Sequence, residues 1–399
     1  RPAERRSGTV TPFQAAATAL GSTVGTGNIV GVSQAIAMGG PGALFWLWAA
    51  ALIGMIVKYA EVALAIYYRR GSIGSGPMDY ITHGLGRPHL ARVYGVLVTL
   101  SAFCMGNLVQ VSSIADSFVR AVDACTVGPM PSPAALRFAL GLVLAAVTAL
   151  LLSGGAGRVG TAAEAMVPLM SLLFIAASMA VVAVNHSRIA GVMSTVFIEA
   201  FRPGAITGGI CGVTTAQCIQ WGLRRSAFSN EAGLGTAAIA HAAADTNDPA
   251  AHGMWGIFEV FADTIVICTC TALAILCSGV NIPWGSVTGT EVYQSALASV
   301  FGARTSAVFM AVTICLFAYT SVMGWAVYGS RCAEYISGRR GAALYGFLFP
   351  CVCLCGCVMS TKGVWQIADL INALMSLPNL ASLLMLAPVA GKISRKIDT

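Results

Sequence analysis

Apolar runs of transmembrane length follow one another along almost the whole chain, and they restrict its fold more than any other feature. They cover 13–37, 44–67, 93–119, 136–153, 161–184, 205–223, 254–279, 304–330, 342–359 and 364–389. A membrane-spanning helix needs roughly 20 mostly apolar residues. The expected fold is therefore all-α, a single polytopic transmembrane domain over residues 1–399 with about ten spans. Only 10% of the side chains are charged, against about 25% in soluble domains, and mean hydropathy is +0.77. No connection is long enough for a soluble domain. The longest, 185–205, contains MSTVFIEAFR and suits a short helix lying on the bundle.

The net charge of +7 reads as a topology signal, because Lys and Arg concentrate in cytoplasmic loops. With the N-terminus cytoplasmic and sides alternating, sixteen Lys and Arg fall on the cytoplasmic side and six on the other, with Lys58 inside a span. No nucleic acid partner is expected. The 13 cysteines lie mostly within spans. In CVCLCGC (351–357), residues two apart point to different sides of a helix and cannot converge on one ion, so they read as small apolar filler. RPAERRSG runs into the first span without a small-residue cleavage site, so no cleavable signal is expected.

The first run is interrupted at mid-depth by GSTVGTGNIV (21–30), with three glycines and polar Ser22, Thr23, Thr26 and Asn28. Non-helical backbone at membrane depth is tolerated where it is buried in protein or lines a cavity. In transporters such breaks bind anionic groups through freed N–H groups and cations through freed carbonyls. Glycines lower the cost of unwinding, and hydroxyls and an amide are oxygen ligands suited to a hard cation. The same residues would also suit a helix packed closely on a neighbour. A second stretch, AITGGICGVTTAQCIQWGL (205–223), again mixes glycines with Thr214, Thr215, Gln217 and Gln220. Breaks at corresponding places in two halves point to a secondary transporter. The expected halves are inverted five-helix repeats, about 11–184 and 203–390, with the first and sixth helices broken.

Five long motifs resemble the alanine or glycine:cation symporter family: VGTGNIVGVSQAIAMGGPGALFWLWAAALIGMIVKYAEVALAIYYR (24–69), FSNEAGLGTAAIAHAAA (228–244), GIFEVFADTIV (256–266), FAYTSVMGWAVYGSRCAEY (317–335) and WQIADLINALMSLPNL (365–380). They are ordered along nearly the whole chain. The resemblance implies uptake of small neutral amino acids, mainly alanine and glycine, driven by sodium on the LeuT-type inverted-repeat fold, in the cell inner (plasma) membrane. It implies no organic cofactor, and a monomer or weak oligomer in the bilayer. It also implies a sodium site made by the carbonyls of Gly21 and Val24 with the hydroxyls of Thr320 and Ser321. The amides of Thr26 and Gly27 would hold the substrate carboxylate, with Asn28 beside it. Gly106, Asn107 and Gln110 would line the pocket, and Trp325, on the helix face of Ser321, would close over a small side chain. Family members usually carry a further hydrophobic helix ahead of the Gly-rich one, so such a helix is expected before residue 1.

Other polar residues carry alternatives. Glu259 and Asp263, four apart on one helix face, suit a proton relay, a cation-binding wall or a purely structural role in fixing a broken helix. Asp369 is expected to face water near the start of the last span. Lys58 and Glu61, three apart, are expected to pair locally with Lys58 snorkelling. In FSNEAGLG, Ser229 or Asn230 would cap the next helix with Glu231 in its first turn, or the stretch would form an inner gate. Of the histidines His83, His89, His186, His241 and His252, none forms a metal-spaced pair. An enzyme is not expected, because neither HExxH nor a Ser/His pair is present. No output domain for a sensor is attached. A proton-coupled carrier using Glu259 or Asp263 is the alternative to sodium symport.

Overall fold

The computed structural model describes residues 10–71, 74–202, 213–359 and 361–395. In chain order its main helices are α1 (Pro12–Thr23), α2 (Val30–Gly39), α3 (Ala43–Tyr67), α4 (Pro88–Cys125), α5 (Pro133–Leu152), α6 (Gly155–Val184), α7 (Ile189–Phe201), α8 (Thr215–Asn230), α9 (Thr236–His241), α10 (Pro249–Ser278), α11 (Glu291–Phe301), α12 (Ala303–Val358) and α13 (Thr361–Ser394). Seven of them are long and apolar enough to cross a membrane: α3, α4, α5, α6, α10, α12 and α13.

Local chemistry sets the boundaries. Thr11 and Gln14 form a reciprocal capping box ahead of α1, with Pro12 in its first turn. Asp248 accepts the N–H groups of Ala250 and Ala251 at the start of α10, again before a proline. The expected spans 304–330 and 342–359 are joined in α12, whose only non-helical residue is Gly338 (φ 64, ψ −159). Only glycine adopts that conformation at low cost, and it folds the two arms back on each other. Tyr345 accordingly donates its hydroxyl to the Trp325 carbonyl at 3.2 Å. The 185–205 connection holds α7, whose Ala200 carbonyl accepts the Trp46 indole N–H at 2.9 Å and docks it on the start of α3.

The distribution of polarity is inside out relative to a soluble protein. Leu384, Ile56, Phe347 and Leu172 are exposed, whereas Asn28, Lys58, Glu61, Glu259 and Asp263 are buried. Such an apolar exterior suits lipid, and groups buried beneath it must find partners within the protein. α4 and α10 each contain a π-helical stretch, Cys104–Leu108 and Phe261–Cys268. The second packs against the Thr26–Asn28 turn and α8, the first against α12 and α13.

Candidate functional site

α1 stops at Thr23 and helix resumes at Val30. Between them Val24 and Gly25 are extended (φ −71 and −141) and Thr26–Asn28 form one 3-10 turn. Ser22 and Thr23 donate their hydroxyls back to the carbonyls of Thr18 (2.7 Å) and Leu20 (3.0 Å), which loosens the last helical turn. Every residue from Gly21 to Val30 is buried. Asn28 closes the break: its Oδ1 accepts the Gly25 N–H at 2.9 Å, its amide donates to Asp263 Oδ1 at 2.7 Å, and its carbonyl accepts the Thr271 hydroxyl at 2.8 Å.

Three elements meet here. Gln110 Oε1 faces the Thr26 N–H at 3.4 Å, and Ser321 donates to the Gly21 carbonyl at 3.4 Å. A Cβ on Gly25 would lie 2.5 Å from Ser321 Oγ and 3.3 Å from Gln110 Oε1, so only glycine lets the backbone approach both. Thr26 Oγ1 is buried without a hydrogen-bond partner. Buried hydroxyls are usually satisfied, and this one shares its lack of a partner with a few others among the described residues, Ser117 and Thr288 included. Gly27 packs on Phe228 and Ser229 of α8.

A second interruption lies in FSNEAGLG. α8 ends at Asn230; Glu231 is left-handed (φ 55), Gly233 and Gly235 have φ of 92 and 79, and α9 starts at Thr236. The sequence placed this break within 205–223. Of that window 205–212 lies outside the described residues, and 215–223 is continuous helix. The reading of Ser229, Asn230 and Glu231 as the start of a helix is likewise corrected: they end one.

Lys58 and Glu61 explain why the second break is stable. Rather than snorkelling and pairing locally, both are fully buried. Lys58 Nζ donates to the Asn230 carbonyl, the negative end of α8, at 2.7 Å. Glu61 Oε1 accepts the N–H groups of Gly233 and Gly235 at 3.0 Å each, ahead of the positive end of α9, and the Asn379 amide at 2.7 Å. One helical stretch of α3 thus supplies a cation to the end of one half-helix and an anion to the start of the next.

The other expected site residues divide. Trp325 is buried, donates to Glu231 Oε1 at 3.0 Å and lies against Gly106, where a Cβ would come within 2.3 Å of the Trp325 Cβ. It therefore ties the second break to the π-helical stretch of α4. Thr320 donates to the carbonyl of Phe317 at 2.8 Å on its own helix, with its Cβ 3.5 Å from where a Gly21 Cβ would stand. Asn107 donates to the Phe349 carbonyl at 2.8 Å on the far arm of α12 and is not drawn to the 24–29 break; its Oδ1 is buried and unpartnered. Glu259 and Asp263 serve separate networks. Asp263 joins the two breaks by accepting from Asn28 and from Ser229 (2.7 Å each), while Glu259 bonds His241 at 2.5 Å.

Above the breaks, on the side reached by the C-terminal end of α2, a cavity of about 740 Å³ is lined by Val30, Gln34, Trp221, Arg225, Trp365 and Asp369 among others. Arg225 is buried and surrounded by the rings of Trp221, Phe228 and Trp365 at 5.2, 5.7 and 5.6 Å. Its guanidinium lies 3.3 Å from Asp369, which also pairs with Arg224. Asp369 is thus held in an ion pair rather than left to water, and Arg224 and Arg225 line the same cavity as Arg120, which the sequence reading put on the other side of the membrane. Asp369→Asn leaves a buried guanidinium without its counter-charge, and a loss on the order of 3 kcal/mol is expected. A thermal melt of the detergent-solubilised variant measures it.

The model of the sodium:alanine symporter family matches residues 1–398. The sodium/alanine symporter AgcS of Methanococcus maripaludis is 39% identical over 396 residues, covering 97% of this chain and 84% of that protein. The probable sodium/glutamine symporter GlnT of Bacillus subtilis is 34% identical over 391 residues, covering 97% and 78%. The crystal structure of MhsT in complex with L-phenylalanine superposes with a TM-score of 0.67 over 96% of this chain and 89% of that one, at 14% identity. At that identity the likeness concerns the fold alone.

Proposed function

This chain belongs to the sodium:alanine symporter family, a family of amino acid transporters, and we propose that it carries small neutral amino acids, alanine and glycine, into the cell together with sodium by alternating access. The observation that carries this reading is the buried break at 24–29, where the Thr26 N–H faces Gln110 Oε1 at 3.4 Å, Ser321 donates to the Gly21 carbonyl and Thr26 Oγ1 is unpartnered. The amides of Thr26 and Gly27 would receive the carboxylate. The carbonyls of Gly21 and Val24 would face sodium with the hydroxyls of Thr320 and Ser321. Gln110 and Ser321 close the walls, with Gly106, Trp325 and Asn28 around them; Asn107, bonded to the Phe349 carbonyl, stands outside the pocket. Close packing of Trp325 on Gly106 favours a side chain of one carbon or none, as overpacking costs 1–3 kcal/mol.

In this reading α1 with α2 make one broken span, α8 with α9 another, and the two arms of α12 two more, giving ten spans as two inverted repeats (about 11–184 and 203–390). The shared fold with MhsT supports it. The Lys and Arg asymmetry supports a cytoplasmic position for the α1 end, in the cell's inner membrane. Sodium that orders the break lowers the ordering cost for the amino acid, and the coupling is reciprocal. The buried carboxylates Asp263 and Glu259 favour one second reading, proton coupling on the same fold.

Uptake of labelled alanine by proteoliposomes tests the proposal. An inward sodium gradient is expected to drive accumulation at least about tenfold above choline, a coupling of about 1.4 kcal/mol or more, with glycine competing and glutamine not. Accumulation that follows a pH gradient without sodium would replace sodium with protons. No accumulation under either gradient would remove the reading.

A further inference from the structure

Two buried histidines and a carboxylate stand apart from the breaks and take no part in the sodium-coupled reading above, Glu259 entering only its proton-coupled alternative. His241, the last residue of α9, is fully buried, and His252 and Glu259 on α10 are 3% and 1% exposed. His241 Nε2 lies 2.5 Å from Glu259 Oε1, and His241 Nδ1 lies 2.9 Å from His252 Nε2. The second oxygen, Glu259 Oε2, is buried and has no hydrogen-bond partner. The ring nitrogens point at one another and at one carboxylate oxygen. They share no common vertex, so the arrangement is a chain and suits a proton, not a metal ion.

Counting donors and acceptors shows what the chain can do. With Glu259 ionised, His241 donates through Nε2 to Oε1 and His252 donates through Nε2 to His241 Nδ1. A proton arriving at His252 Nδ1 lets the His252 Nε2 proton pass to His241 Nδ1 and the His241 Nε2 proton pass to Glu259 Oε1. Both rings then carry hydrogen on Nδ1, Glu259 is neutral, and the same two hydrogen bonds persist with donor and acceptor exchanged. One proton is gained, the net charge of the group falls from −1 to 0, and no heavy atom has to move. The entry end is near water: His252 lies in the second turn of α10, beside exposed Asn247, Asp248 and Ala251. The far end is the orphaned Glu259 oxygen.

We propose that His241, His252 and Glu259 form a buried single-proton site, filled from the aqueous phase at the α9–α10 connection, whose occupancy sets the pH response of transport. The second half of this statement rests on the transport reading. The site joins α9, the half-helix after the second break, to α10, whose Asp263 holds both breaks together. The groups around it are few. α3 packs the stem of Lys58 against Gly256 and the Tyr59 ring against Gly253. Arg69, beyond α3, holds the carbonyls of Ala244 and Thr246, and Asp248 caps α10. Tyr328 of α12 lies within electrostatic reach of Glu259 and of Glu231 at the break. α1 carries no titratable side chain, and among the described residues α13 and the residue after it bring exposed Lys392 and Arg395 to this end.

Infrared difference spectra of the full chain in lipid nanodiscs, between about pH 9 and pH 5, test the site without transport. A protonated-carboxyl band is expected in the unaltered chain and is expected to be missing in Glu259→Gln. In His252→Gln its midpoint should move by at least about one pH unit, a tenfold change in proton affinity. Identical spectra for the unaltered chain and Glu259→Gln would overturn the proposal. Should Glu259→Gln not fold, 15N-histidine NMR of the unaltered chain decides: both rings are expected to switch tautomer over the pH range of the band, and fixed tautomers would overturn it. Sodium-driven alanine uptake should then follow the same midpoint and be flat with pH in Glu259→Gln; uptake that keeps its pH profile in that variant would overturn the coupling to transport. A band present in a chain that moves no alanine would count against the transport reading and leave the proton site standing.

Discussion

Glu61→Ala is expected to abolish alanine transport and to unfold the second break. The carboxylate accepts three buried donors, the N–H groups of Gly233 and Gly235 and the Asn379 amide. Each donor left unpaired costs about 1–3 kcal/mol, and Lys58 also loses a neighbouring negative charge. Three such losses are comparable with the whole stability of an ordinary domain, about 5–15 kcal/mol. Glu61→Gln keeps an acceptor oxygen in place and should fold with impaired transport. Proteolytic sensitivity of the α8–α9 connection together with alanine counterflow distinguishes the two variants. If Glu61→Ala transports normally, the break is not held by α3.

The second large effect is steric. A Cβ at position 106 would lie 2.3 Å from Trp325 Cβ and 2.4 Å from its Cγ, well inside van der Waals contact. Gly106→Val must push the indole away from Glu231, whose Oε1 accepts its N–H at 3.0 Å, and so disturb the second break from the other side. Overpacking of this kind costs typically 1–3 kcal/mol. At about 1.4 kcal/mol per factor of ten, transport is expected to fall by roughly 10- to 100-fold. Gly106→Ala should show the same direction with a smaller loss. Wild-type uptake in Gly106→Val would mean that Trp325 and the π-helical stretch are not joined in the working protein.

The first break could be read from the sequence because its cause is local. Three glycines and four small polar residues inside an apolar run cannot form a good membrane helix, whatever surrounds them. The second break was misplaced for the opposite reason. NEAGLG contains two glycines and one carboxylate, and what keeps it open is Lys58 and Glu61, some 170 residues earlier in the chain. Spacing alone suggested a local Lys–Glu pair, whereas tertiary packing buries both ends against α8 and α9. The one hint was a glutamate directly before AGLG, a poor continuation for a helix buried in lipid. Gly338 shows a similar limit: apolar patterning located both arms of α12 but not the helical residues between them. His241 and His252 stand eleven apart across a connection, a spacing that carries no metal or relay signature. Only the packing of α9 on α10 brings them together.

In the proposed function the amino acid and sodium bind to the same buried break at 24–29. Isothermal titration of the purified chain with alanine, once in sodium and once in choline, tests this shared binding most directly. An ion that orders the break should strengthen alanine binding by at least about tenfold, or about 1.4 kcal/mol, and Ser321→Ala, which removes the hydroxyl facing the Gly21 carbonyl, should erase the difference. Equal affinity in the two salts would contradict a shared site.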